Sequence, residues 1–259
     1  MGRGFGIAAA VSHDVTREVA REAERLGYSS FWVNDTPGAD GLAALAAAAE
    51  VTSAIELGVG VIPLDRRPGE AIAADVEQLG LPRDRLLLGV GSGGDPKGLD
   101  RVRAGVDVLQ RRVAAPVIVA ALGPRMCALA GETAGGVLFN WLTPEFARRS
   151  ARWVLDAAEL AGRPRPRLMA YVRSGLLPEA EARMRVEAER YTGVGKYGEH
   201  FKRMGTSAYD TCVSGPDAAT LQAGIARHEA ELDEAVVRAI TPDDSLESIL
   251  RLLHACAPA

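Results

Sequence analysis

One stretch, APVIVAALGPRMCALAGETAGGVLFNWLTPE over 115–145, limits what this chain can fold into more than any other. Its first apolar run, 117–121, is short and rich in β-branched residues, as suits a strand buried on both faces. Gly123-Pro124 stops that strand and opens a helix, with Pro124 at the first helical position, where its missing N–H costs nothing. Gly135-Gly136 closes the helix, and 137–139 forms a second buried strand. Asn140-Trp141-Leu142-Thr143 then leads into a helix capped by Thr143, with Pro144 at its start. Two strands joined by a helix in this way run parallel, so their carboxyl ends and both helix N-termini share one face. Gly123-Pro124-Arg125 thus combines free amide N–H groups, the positive end of a helix dipole and a guanidinium, which together suit a phosphate or other anion. The plainer reading is a strand-to-helix turn with a solvated arginine.

The same unit recurs along the chain. Apolar runs predict strands over 5–10, 30–33, 55–61, 86–90, 117–121, 137–139, 167–172 and 234–240. Helical spacing or cap signals predict helices over 15–26, 40–54, 68–80, 99–113, 144–162, 178–191 and 245–255, besides the one opened by Pro124. Eightfold alternation of this kind, in a chain of 259 residues with no linker or composition shift, predicts an α/β protein and one (β/α)8 barrel over 1–259. One connection is too long for a simple crossover. The excursion between the seventh and eighth strands contains YTGVGKYGEHFKRMGTSAYDT, and a segment at about 191–213 rich in aromatic, basic and glycine residues predicts a lid over the strand ends.

Charge and composition narrow the partners. A net charge of −4 and a pI near 5.7 argue against nucleic acid or an anionic membrane. Arg3 followed by a short apolar run imitates a secretion signal, but an amphipathic helix follows at once, and no uncharged run reaches the roughly 18 residues a membrane helix needs. Cys127, Cys212 and Cys256 are odd in number and lack ligand spacing, which predicts no metal site and a reduced, cytoplasmic setting.

The strand ends supply the candidate site residues. Asn34-Asp35-Thr36 follows the second strand, and Asp35 reads either as a ligand-orienting carboxylate or as a cap of the next helix. Gly91-Ser92-Gly93-Gly94 follows the fourth. It completes a formal GxGxxG, but no apolar helix start succeeds it, so a barrel loop is the better reading. Asn140-Trp141 reads as a cap with a packed indole or as a ring contact at the mouth. Arg173 and Arg238, at the seventh and eighth strand ends, face either an anionic ligand or carboxylates of the protein. His13, His228 and His254 read as surface residues. His200, inside the excursion beside Lys196 and Tyr197, is the one histidine placed for proton transfer, with a structural role as its alternative.

The segments AREAERLGYSSFWVND, ELGVGVIPLDRRPGEAIAADVEQLG, RLLLGVGSG and APVIVAALGPRMCALAGETAGGVLFNWLTPE, in that order, resemble the luciferase-like oxidoreductases, the superfamily of bacterial luciferase and coenzyme F420-dependent enzymes. RYTGVGKYGEHFKRMG fits a short F420-dependent subgroup. The resemblance implies a TIM barrel with a non-prolyl cis bond at Gly60–Val61, before Ile62, backing a (deaza)isoalloxazine ring. It further implies Gly91, Ser92 and Gly93 facing the cofactor, and Leu122, Gly123, Pro124, Arg125 and Met126 holding its phosphate. Asn34, Asn140 and Trp141 complete the expected cofactor contacts, with Asp35 and His200 as catalytic candidates. Many relatives carry a histidine where this chain has Thr36, and the sugar-phosphate dehydrogenases of the family carry a carboxylate where it has Gly94, so their acid/base pair is missing. The expected activity is hydride transfer between deazaflavin C5 and a small organic substrate, in a homodimer joined through the alanine-rich second helix and its neighbour. The alternatives are a reduced-FMN-dependent monooxygenase and a non-catalytic barrel that binds flavin or deazaflavin.

Overall fold

Eight strands close on themselves. In the computed structural model, which describes residues 2–94 and 97–258, the barrel strands are β1 (Gly2–Ile7), β2 (Ser30–Val33), β3 (Glu56–Pro63), β4 (Leu86–Gly91), β5 (Val117–Ala121), β6 (Gly136–Asn140), β7 (Arg167–Leu176) and β9 (Glu234–Ala239). Each pairs in parallel with the next, β7 pairs with β9, and β9 returns to β1, which makes a (β/α)8 TIM barrel. Asp95 and Pro96, which follow the fourth-strand glycines in the sequence, lie outside the described residues.

The helices around it are α1 (His13–Arg25), α2 (Gly41–Ala49), α3 (Gly69–Gln78), α4 (Gly98–Arg112), α5 (Pro124–Thr133), α6 (Pro144–Leu160), α7 (Glu181–Thr192), α8 (Lys196–Met204), α9 (Ala218–Glu229) and α10 (Leu246–Ala255). Caps fix where they start. Ser12, Asp40, Thr143, Asp217 and Ser245 each accept an N–H of the first turn. Pro124 stands at the first position of α5, as its chemistry predicts.

Three expectations need correction. The predicted helix 40–54 stops at Ala49, because the Arg85 guanidinium takes the carbonyls of Ala49 and Thr52, and the Glu24 carboxylate takes the N–H groups of Ser53, Ala54 and Ile55. The seventh strand runs four residues past 172, because a strand absent from the sequence reading, β8 (Val213–Gly215), pairs with Ser174–Leu176. The predicted eighth strand is therefore β9, and the excursion holds α8, β8 and α9.

Strand parity decides what fills the bore, since residues two apart point the same way. Trp32, Leu87, Ile118, Leu138, Met169, Tyr171 and Val236 form one packed inner cluster, with Val61 at its edge. Below it, Arg167 donates to Glu56 and Glu234, and the Ser30 hydroxyl donates to Glu234. The aromatic rings fit because glycine lies opposite them. A Cβ at Gly58 would overlap the Trp32 indole, and one at Gly60 would overlap the Tyr171 hydroxyl. The other faces of the strands join the helices in the main core.

His228 is also a correction. It is 3% exposed rather than on the surface, since it continues the buried stripe Leu221, Ile225, His228 of α9 at positions i, i+4 and i+7. Its Nδ1 has no hydrogen-bond partner, and burial holds the imidazole down at about 4. The unfolded chain, titrating near 6.5, binds this proton first, so folding stability is fully present above that value and falls with pH through the window down to 4. Urea melts between pH 6.5 and 5 are expected to lose about 1 kcal/mol per pH unit from this group. His228→Leu should flatten most of that slope.

Candidate functional site

The carboxyl ends of the strands carry the residues that the sequence singles out. Continuing the inward parity of the bore by one step, β6 ends on Asn140, β7 reaches Arg173 and β9 reaches Arg238. Asn34 follows β2 on the same face. Arg173 and Arg238 are register partners on adjacent strands.

Gly60–Val61 is a cis peptide bond, as the resemblance implies. The β3–β4 register shifts between Val59 and Ile62, so that Val61 as well as Gly60 turns toward the bore. Beneath it lies the Tyr171 hydroxyl, buried and without a hydrogen-bond partner. Burial pushes this phenol above its ordinary value, against the pull of Arg238 and Arg173. Ile62 itself is buried in the main core.

The loops beside this floor are lined by small residues. A Cβ on Gly91 would touch only the Val61 side chain and Ala120, and one on Gly123 would come within 3.7 Å of only the Arg203 guanidinium. Gly93, at φ +62°, turns the fourth loop, and the Gly94 N–H is held by Asp65. Gly123 caps α5 with no side-chain acceptor, while Arg125 is exposed and Met126 half-buried. The start of α5 thus leaves backbone amides without a side-chain acceptor, with Arg125 and Arg203 beside them, an arrangement that could hold a phosphate.

The two catalytic candidates are both engaged elsewhere. Asp35, 7% exposed, accepts the first N–H of α2 at Gly41 and pairs with Arg66 and Arg67. His200, 1% exposed, sets Nε2 at 2.7 Å from the Trp141 carbonyl and Nδ1 at 3.1 Å from the Leu122 carbonyl. Burial holds its imidazole below the ordinary value, outweighing those two carbonyls. In these positions one braces a helix start and the other ties α8 to the ends of β5 and β6. Asn34 similarly accepts the Ala9 N–H and braces the first loop.

Around His200 the excursion covers one side of the mouth. Trp141, with φ 53° and 2% exposed, packs beneath Tyr191 and Phe201, and the Arg173 guanidinium lies 3.6 Å from its ring centre. Arg173 also donates to the Glu187 carboxylate of α7 and to the Asn140 carbonyl, whose amide in turn donates to Tyr197. Burial would raise the Glu187 carboxyl, but Arg173 and Arg238 hold it below the usual range. At the fourth loop the Lys196 amine comes within 3.7 Å of where a Gly98 Cβ would sit. Tyr171 and Arg203 escaped the sequence reading. Parity along RLMAYVRSGL was signal enough for Tyr171, whereas nothing local announces Arg203. His200→Ala should release α8 alone: amide hydrogen exchange over 196–204 is expected to quicken about tenfold, with the barrel strands unchanged.

Among the described residues no cluster of histidine, cysteine, aspartate or glutamate could hold a metal ion, and no helix is long and apolar enough to cross a membrane. Residues 4–107, from β1 into α4, match the family of luciferase-like monooxygenases. No curated protein matches the chain. Among solved structures, an F420-dependent secondary alcohol dehydrogenase in complex with an F420–acetone adduct is 17% identical with a TM-score of 0.76, over 100% of both chains. The coenzyme F420-dependent tetrahydromethanopterin reductase of Methanopyrus kandleri is 18% identical with a TM-score of 0.73, over 98% of this chain and 97% of that one. The oxygenating constituent of 3,6-diketocamphane monooxygenase from Pseudomonas putida, in complex with FMN, is 16% identical with a TM-score of 0.67, over 99% and 98%. At such identities these likenesses carry the fold. The chain is thus similar to the luciferase-like monooxygenases over residues 4–107, and its (β/α)8 barrel matches the fold of these solved structures along its whole length.

Proposed function

We propose that this protein is a coenzyme F420-dependent oxidoreductase acting on a small organic substrate. The observation that carries the reading is the Gly60–Val61 bulge over an unpartnered Tyr171 hydroxyl, set beside loops whose glycines leave the backbone bare. Gly91, Ser92 and Gly93 would line the ring and Leu122 to Met126 its phosphate, with Arg125 and Arg203 supplying charge at the rim. When bound, F420 supplies the hydride-transfer chemistry. The chain's own task is to orient the ring against the bulge and to keep water from it, with α8 serving as a lid pinned by His200. Asp35 and His200 are spent on helix and lid, which suits transfer of a hydride without an oxygen-activating base. The same cradle would accept FMN in a monooxygenase, so the two cofactors have to be compared directly.

Titrating the apoprotein with F420 and with FMN, followed by fluorescence quenching, tests the assignment. F420 is expected to bind at micromolar concentration or below and FMN at least about tenfold more weakly, the margin that one well-placed set of contacts supplies. Gly123→Val should weaken F420 by about tenfold or more by filling the amide cradle. FMN binding with oxygen uptake would instead establish a monooxygenase, and silence with both ligands a barrel without redox function. The reading includes a homodimer joined through α2 and its neighbour, and sedimentation velocity should find twice the chain mass of 27.3 kDa. A monomer at all concentrations would refute the dimer.

A further inference from the structure

Arg238 is a buried cation without a carboxylate of its own. It is 9% exposed, and among the described residues its hydrogen bond runs from Nη1 to the Ala239 carbonyl. Among the described residues no carboxylate oxygen lies within 4 Å of it, and the nearby Glu187 is bonded to Arg173 at 2.7 Å. Two inward guanidiniums on adjacent strands therefore share one carboxylate, leaving one positive charge in excess. A guanidinium has five N–H donors in a rigid fork, and burying one is unfavourable unless an anion and hydrogen bonds offset it. Among the described residues the remaining donors of Arg238 meet no acceptor, so its planar fork is open toward the mouth.

Its surroundings give the unused donors somewhere to point. Arg238 is the register partner of Gly6 on β1, and the next inward position there is Ala8, so its neighbours on that side are small. The contacts of α8 fall on the other side, at Leu122, Trp141 and Thr143 after β5 and β6. The sector of the mouth formed by β9, β1 and β2 is thus away from these α8 contacts, and Arg173, Glu187 and the unpartnered Tyr171 hydroxyl lie close to Arg238.

We infer that Arg238 is the recognition residue for a carboxylate on the substrate. The charge count selects a monoanion: one carboxylate balances the single excess positive charge, whereas a phosphate dianion would overshoot it. Carboxylate oxygens also match the planar fork in a two-point contact. Arg173, already bonded to Glu187 and Asn140 and stacked on Trp141, is a fixed wall of this subsite and not its donor. The inference rests on the proposed function only in calling the anion a substrate.

The probes are butyrate and its neutral isostere butyramide, titrated into the apoprotein by calorimetry at low salt, with F420 titrated separately. Butyrate is expected to bind at least about tenfold tighter than butyramide, and Arg238→Gln to abolish that preference while F420 affinity stays within about twofold. Equal binding of acid and amide by the unsubstituted protein would overturn the inference without need of any variant. So would a loss of F420 affinity in Arg238→Gln as large as the loss for butyrate, since the guanidinium would then be meeting the cofactor. If the acid is preferred but F420 does not bind, the subsite stands and the cofactor assignment falls. If F420 binds and acid and amide are alike, the reverse holds.

Discussion

The bore of the barrel is narrow, and two large rings occupy it. Trp32 from β2 and Tyr171 from β7 fit only because β3 offers glycine at positions 58 and 60, where any Cβ would overlap them. Close packing of this kind makes the lower barrel a solid plug, as dense as any other core. It also fixes the level at which the interior stops being apolar. The first inward position above this level is polar on β6, β7 and β9 alike, and the orphaned Tyr171 phenol marks the boundary. The depth and polarity of the mouth are thus consequences of how the plug is packed.

Polar groups at that boundary are largely committed to holding loops and helices. Asp35 anchors α2 and two arginines, Asn34 holds the first loop, and His200 joins α8 to two strand ends. Arg173 is held on three sides by Glu187, Asn140 and the Trp141 ring. Such networks rigidify the site but withdraw their members from proton transfer. A site of this construction is suited to positioning a reactive partner, which is the protein's share of the work when a cofactor brings the chemistry.

The fold was legible because its signals are local and repeated. Gly123-Pro124 and Thr143-Pro144 mark helix starts by the backbone chemistry of those residues alone, and the structure places both helices there. The cis bond at 60–61 was legible only through resemblance, since nothing in the string GVGVIP announces it. What stayed hidden depends on contacts between distant residues. The end of α2 is set by Glu24 and Arg85, β8 exists because β7 offers it a free edge, and His228 is buried because the rest of its helix face is. His200 is the instructive case. Its neighbours Lys196 and Tyr197 look like a reactive cluster in the sequence, whereas its partners are backbone carbonyls some 60 and 80 residues away.

The mouth divides into two halves, and the asymmetry bears on how an oxidoreductase would use it. Over β4 to β6 lie bare backbone amides, the start of α5 and the basic residues of α8, an arrangement whose charge is spread along loops and a movable class of element. Over β7, β9 and β1 the charge is concentrated on guanidiniums rooted in strands, the stiffest part of the fold. A ligand that must be admitted, gripped by its phosphate and released suits the first kind of surface. A small molecule that must present one carbon at a fixed distance from a ring suits the second, because strand-borne donors move little relative to the Gly60–Val61 bulge. On the proposed reading, then, the cofactor and the substrate would be held by elements of different stiffness, with Tyr171 beneath the line where they meet.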